Sequence, residues 1–161
     1  DLTGLYNRRF YEQRMAHLLE RAEITGKTIG LIMFDLDDFK QVNDTHGHGM
    51  GDALLKMLGE RLRHQVRDID LIARLGGDEF VVLMENMRSS DDLPEIAAKL
   101  VAAVEQPVKA RNEVMALKVS CGFALYPGDG LSRAELEEKA DKAMYRAKKR
   151  GSSPDPSLIL H

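Results

Sequence analysis

The feature that most constrains this chain is the stretch Arg74-Leu75-Gly76-Gly77-Asp78-Glu79-Phe80, where two glycines and two carboxylates sit between short apolar runs. Ile72, Ala73 and Leu75 lead in and Phe80 to Met84 lead out, the pattern of strand, two-glycine turn, strand. A hairpin is therefore expected to carry Asp78 and Glu79 at its tip. Glycine has no Cβ and tolerates positive φ, so a phosphate chain or a second backbone can approach such a turn while the adjoining carboxylates hold a divalent cation. The competing reading is an acidic turn that serves solubility alone, because Gly-Gly and Gly-Asp pairs are common turn formers.

A second signal shifts the balance toward chemistry. Ile29-Gly30-Leu31-Ile32-Met33-Phe34 is a continuous apolar run of the buried-strand type, and it ends in Asp35-Leu36-Asp37-Asp38-Phe39-Lys40. Strand alternation places Asp35 and Asp37 on one side and Leu36 on the other. Acids at the end of a buried strand, facing acids on a hairpin tip, are a usual way to hold Mg²⁺ over a triphosphate with only one or two protein carboxylates.

Composition narrows the partners. The 161 residues carry 23 Lys+Arg against 26 Asp+Glu, a net charge of −3, so the basic field that nucleic-acid binding requires is missing and nucleic acid is not an expected partner. The single Cys121 lies in a strand-like stretch, which excludes an internal disulfide and suits a reducing cytoplasm with a buried, inert thiol. No apolar stretch approaches the ~20 residues of a membrane span and no signal peptide opens the chain, so no membrane contact is expected in this segment.

Periodicity predicts a helix over 8–24, the strand ending at Asp35, a short helix from about Phe39, a glycine-rich turn, and an amphipathic helix over 51–66 with Leu54, Leu55, Leu58, Leu62 and Val66 on its core face. The hairpin follows, then a helix bounded by Pro94 and Pro107, strands over 108–109 and 114–125, and a last helix with a Lys-rich end. The order α-β-α-α-β-β-α-β-β-α gives an α/β fold of the α+β kind, with an antiparallel-rich, five-stranded sheet flanked by helices. Residues 1–151 form one domain, and the Pro/Ser-rich stretch 152–161 reads as a linker or an appended tail.

At this point the residues carry a family resemblance. With LTGLYNRR at 2–9, FDLDDFKQVNDTHGHGMGD at 34–52, RLGGDEF at 74–80, VSCGFALYP at 119–127 and KADKAMYRAKKRG at 139–151, the chain resembles the GGDEF domains of diguanylate cyclases. The chain starts one residue inside that family's usual opening, as expected of a domain excised from a larger bacterial signalling protein, soluble or membrane-anchored. The resemblance implies a ferredoxin-like core, shared with polymerase palms and nucleotide cyclases, and the condensation of two GTP into cyclic di-GMP with loss of two pyrophosphates. Each domain holds half of that reaction, so a homodimer of domains is implied, with Mg²⁺ or Mn²⁺ as cofactor.

Residue by residue, the resemblance assigns Asp35, Asp78 and the Leu36 carbonyl to the metal, and Asp78, Glu79 and Lys40 to catalysis. Asn43, Asp52, Lys148, Phe39 and His48 are assigned to the substrate. A carboxylate suits guanine, whose N1–H and N2–H₂ are both donors, whereas adenine presents a lone pair at N1. Taken without the resemblance, Asn43 and Asp52 read equally as helix caps, and Lys40 and Lys148 as solvated surface. Gly47, Gly49 and Gly51 read as a loop whose amides approach phosphate. His46 and His48 lack the further ligands of a zinc site. Arg67-Asp68-Ile69-Asp70 matches the family's product-inhibition motif, in which Arg67 grips cyclic di-GMP and Asp70 accepts from its guanine, with Lys99 or Arg88 as a second cation. One position departs from the pattern. Ser152 stands where the family often has an arginine for the terminal phosphate, with Lys149 and Arg150 as the nearest substitutes. That departure is what favours the alternative, a non-catalytic GTP- or cyclic di-GMP-binding module attached to an EAL phosphodiesterase domain.

Overall fold

The computed structural model describes residues 5–87, 91–110 and 112–150. Helix α1 (Arg8–Thr25) starts where the Asn7 side chain accepts the Phe10 N–H at 2.9 Å and stops at Gly26 in the left-handed region. Then come β1 (Ile29–Leu36), α2 (Phe39–His46), α3 (His48–Gln65), β2 (Leu71–Gly76), β3 (Glu79–Glu85) and α4 (Asp92–Val104). The chain continues through β4 (Val108–Ala110), β5 (Glu113–Met115) and β6 (Val119–Tyr126) to α5 (Arg133–Lys149), which begins with the Ser132 hydroxyl accepting the Glu135 N–H.

The main sheet has the order β2-β3-β1-β6 with all neighbours antiparallel, and β4 and β5 pair with each other in a separate two-stranded sheet. This corrects the expected five-stranded sheet and the single strand over 114–125. β6 exists because β1 pairs with it, and that ladder ends at Leu36↔Val119. Ahead of Val119 that edge carries one further backbone bond, the Asp37 N–H to the Lys118 carbonyl at 2.8 Å, and Met115 pairs with Val108 instead. The expected glycine-rich loop is also corrected. Gly49 and Gly51 lie inside α3, and only Gly47, at φ 87, separates α2 from α3. Pro94 falls in the first turn of α4, where its missing N–H interrupts no helical bond, so it starts that helix rather than bounding it.

Strand alternation divides the core. Ile32, Phe34, Leu36, Phe80, Val82, Val119 and Cys121 face α3 and α4, while Leu31, Met33, Val81, Leu83 and Ala124 face α1 and α5. Phe34 and Phe80 are direct cross-strand partners and fully buried, each contributing roughly 2–3 kcal/mol of apolar burial. Burial also pushes the Cys121 thiol up, which leaves it unreactive.

On the second face, α5 lies directly on the sheet. A Cβ at Gly122 would overlap the Ala140 carbonyl oxygen and stand 2.5 Å from Met144 N, so the absence of a side chain sets the height of α5 above β6. Helices α1 and α5 are tied by the Tyr11 hydroxyl, which donates to Glu137 Oε2 at 2.7 Å, and by Arg133, whose Nη1 stands 3.2 Å from Glu137 Oε1 and 3.8 Å from Glu12 Oε1. Among the described residues no helix is long and apolar enough to cross a membrane.

Candidate functional site

The hairpin between β2 and β3 turns at Gly77, φ 50, and Asp78, with Gly76 paired to Glu79 after a bulge. The Arg74 guanidinium donates twice to the Gly77 carbonyl, at 3.0 and 2.7 Å, which pins the turn. The Leu36 N–H at the end of β1 donates to the Asp78 carbonyl at 3.0 Å, so the hairpin tip is tied to the strand that carries Asp35. Asp35 and Glu79 are cross-strand partners on the α1/α5 face, and Asp78 is close enough to Asp35 for their carboxyls to interact. Asp37 lies beyond the strand, in the turn to α2, and accepts from the buried Ser120 hydroxyl at 2.8 Å.

Helix α5 closes this end of the sheet. Lys148 Nζ stands 3.1 Å from Asp35 Oδ2, and an open cleft of about 610 Å³ is lined by Asp35, Glu79, Asp141, Met144, Tyr145 and Lys148 among others. Partial burial raises the Asp35 carboxyl above its ordinary range, and the neighbouring Asp78 adds to this against the opposing pull of Lys148. Glu79 is raised as well, first by burial and then by the negative charges of Asp35 and Asp141, with Arg8 opposing. Lys148 is raised by its bond to Asp35. The cleft thus sets Asp35, Glu79 and Asp141 among Lys142, Arg146 and Lys148, of which Lys148 is bonded to Asp35.

This donor set fits a hard cation. Among the described residues no three His, Cys, Asp or Glu side chains converge on one point, so a metal here would be held by Asp35, Asp78 and the Leu36 carbonyl, with phosphate and water oxygens completing its shell. Such a shell is how Mg²⁺ binds with nucleotides, and among the described residues no further His, Cys, Asp or Glu groups with His46 and His48 as a set of three. His46 instead pairs with Glu113 at 3.2 Å.

The remaining substrate candidates lie on α2 and α3 rather than on this cleft. Lys40, Asp52 and His48 are exposed, and Asn43 is half-buried. Asn43 and Asp52 sit inside their helices, and the Gly47 cap of α3 receives no side-chain hydrogen bond, so neither residue is an N-cap. The Phe39 side chain is 8 % exposed and packed in the core, where it anchors the first turn of α2.

In the Arg67–Asp70 motif the Asp70 carboxylate is fully buried, accepts the Arg67 N–H at 2.8 Å and takes the Arg67 guanidinium at 2.9 Å, so it holds the arginine in place. Arg67 itself is 44 % exposed and also donates to the Glu85 carbonyl at 2.8 Å. Lys99 pairs with Glu95 and lines a shallow groove with Arg61 and His64; no described bond brings it to Arg67. Arg88 and Ser152, like residues 152–161 as a whole, lie outside the described residues.

Asp141, Lys142, Tyr145 and Arg146 line the cleft and Arg8 acts on Glu79, although the sequence marks none of them as a site residue. Asp141 is seven residues before Lys148 on α5, two turns away on the same face, and that spacing was the available signal. Arg8 reaches the site only because α1 packs on β2 and β3, which no local pattern foretells.

A family model described as diguanylate cyclase, GGDEF domain, matches residues 1–154. The chain belongs to the GGDEF domain family. This GGDEF domain is 44 % identical over 151 residues to the Pseudomonas aeruginosa protein MucR, a bifunctional diguanylate cyclase/cyclic di-GMP phosphodiesterase, with 94 % of the chain and 22 % of MucR covered. The solved GGDEF domain of Pseudomonas aeruginosa TpbB matches with a TM-score of 0.89 and 37 % identity, covering 94 % of this domain and 95 % of that one. The GGDEF domain of DgcB from Caulobacter crescentus, solved in complex with c-di-GMP, matches with a TM-score of 0.80 and 32 % identity over 96 % of this domain and 91 % of the other. The GGDEF domain spans 19–36 % of the length of the first curated relatives it matches.

Proposed function

We propose that this GGDEF domain is a diguanylate cyclase, which condenses two GTP into cyclic di-GMP with two copies of the domain facing each other. The observation that carries the reading is that Asp35, Glu79, Asp78 and Lys148 all lie at one end of the sheet, on elements locked by backbone bonds. In each half-reaction a ribose 3′-oxygen forms a bond to the α-phosphorus of the other nucleotide, the bond from that phosphorus to the β-phosphate bridge breaks, and pyrophosphate leaves. The 3′-hydroxyl proton passes to a carboxylate, Asp78 or Glu79, and the raised proton affinity of Glu79 favours acceptance there. Lys148 and Lys40 offset charge on the phosphates. Asp35, Asp78 and the Leu36 carbonyl would hold Mg²⁺ or Mn²⁺, which would supply Lewis-acid stabilisation of the developing and leaving oxygens. Asn43 and Asp52 read the guanine. GTP as substrate and a single buried thiol fit the cytoplasm.

Product feedback belongs to the same proposal. Arg67, oriented by Asp70 and Glu85, presents its guanidinium to cyclic di-GMP away from the cleft. The second reading, a binding module without turnover, is favoured by Ser152 in place of the phosphate-binding arginine. Incubation of the domain, fused to a dimeric coiled coil, with GTP and Mg²⁺ separates the two: cyclic di-GMP and pyrophosphate in a 1:2 ratio support the enzyme, and GTP binding without product supports the module.

A further inference from the structure

Gly51 poses a question that its backbone does not answer. It lies in the first turns of α3 with ordinary helical φ, and a glycine inside a helix costs about 1 kcal/mol relative to alanine. It is fully buried against α2. A Cβ built there would overlap Asn43 Oδ1, stand 2.9 Å from Asn43 Cγ and lie 3.2 Å from Phe39 Cζ.

Phe39 and Asn43 are one turn apart on α2, on the face turned to α3. The Phe39 ring is fixed in the core and yields little, so a methyl group at position 51 displaces the Asn43 amide. The missing side chain therefore lets the Asn43 amide settle against α3 at Gly51, one residue before Asp52. These two groups are chemically complementary to one base. A carboxylate accepts the paired donors of guanine N1 and N2, and an amide N–H₂ reaches a guanine acceptor.

We infer that Gly51 is a positioning residue for base selectivity, holding open the space in which Asn43 and Asp52 act as one guanine-reading unit. The inference rests on the proposal that these two residues take the base, and it names the residue that sets their spacing. Gly51 touches no nucleotide itself.

The test compares the wild-type domain with Gly51→Ala, Asn43→Ala and the double variant, titrating GTP and ATP calorimetrically and following cyclic di-GMP synthesis in the coiled-coil fusion. Gly51→Ala is expected to keep its helical circular dichroism and to weaken GTP about tenfold, with ATP unchanged, so that selectivity narrows. The loss falls on KM rather than kcat, because Asp35, Asp78 and Glu79 stay in place. In the double variant the shortened side chain at 43 accommodates the new methyl, and GTP binds no more weakly than to Asn43→Ala alone.

Wild-type selectivity in Gly51→Ala, or losses that add fully in the double variant, overturn the inference while leaving the cyclase reading intact. If Gly51→Ala does not fold, a folded double variant supports the clash with Asn43, and an unfolded one overturns it. A wild-type domain that binds ATP as tightly as GTP overturns the guanine reading and this inference together.

Discussion

Asp35 on β1 and Glu79 on β3 are direct partners across two antiparallel strands, both partly buried and both raised in proton affinity. Like charges opposite each other in a sheet destabilise the fold, so the pair carries a cost to stability.

That relationship predicts opposite effects on stability and activity. Glu79→Gln or Asp78→Asn is expected to unfold at an equal or higher urea concentration than wild type, because each removes a repelling charge. Cyclic di-GMP synthesis falls by about 10²-fold or more. Chemical denaturation alongside product quantification checks both halves, and a variant that loses stability and activity together contradicts the assignment.

The pH dependence has a definite sign. A carboxyl whose folded-state affinity for its proton is raised contributes stability below its unfolded pKa, near 4, and that contribution is lost as pH rises through the higher folded value. In the absence of divalent cation, the stability gap between Glu79→Gln and wild type therefore widens from acidic to neutral pH. Added Mg²⁺ narrows it by compensating the charge in the wild-type protein. Urea unfolding at several pH values with and without Mg²⁺ measures the gap, and a constant gap argues against an acidic cluster.

Gly122→Ala is expected to destabilise the domain by about 2 kcal/mol or more, because the new methyl meets the backbone of α5 at Ala140 and Met144, which cannot turn aside as a side chain does. Any variant that remains folded should also lose GTP affinity, since α5 carries Lys148. Thermal unfolding and nucleotide titration report the two effects separately.

Arg67 and Asp70 should separate in their effects. Asp70→Ala strips a fully buried acceptor from two donors and is expected to cost about 2 kcal/mol of stability. Arg67→Lys keeps a cation near Asp70 while losing the planar fork, so it should weaken cyclic di-GMP binding and feedback with a smaller effect on folding. Unchanged product binding in Arg67→Lys, measured by calorimetry, would reduce the motif to a structural ion pair.

The periodicities of the sequence by themselves determined most of the elements and their burial: the apolar run of β1, the leucine stripe of α3, the hairpin at Gly77 and the basic end of α5 are all local patterns. They also marked Asp35, Asp78 and Glu79, because acids that interrupt apolar strands stand out against their neighbours. Only the tertiary structure decided which strands pair. A strand is completed by a partner far away in sequence, so β6 was separated from β5 by the length of β1, and the sheet closed at four strands. The same distance dependence hid Asp141 and Arg8, which reach Glu79 through helix packing. It also buried Phe39 and Asp70, whose residue types alone leave the choice between a ligand contact and a structural one open. The register of α2 against α3, one missing Cβ wide at Gly51, is a matter of close packing to which amphipathic spacing is blind.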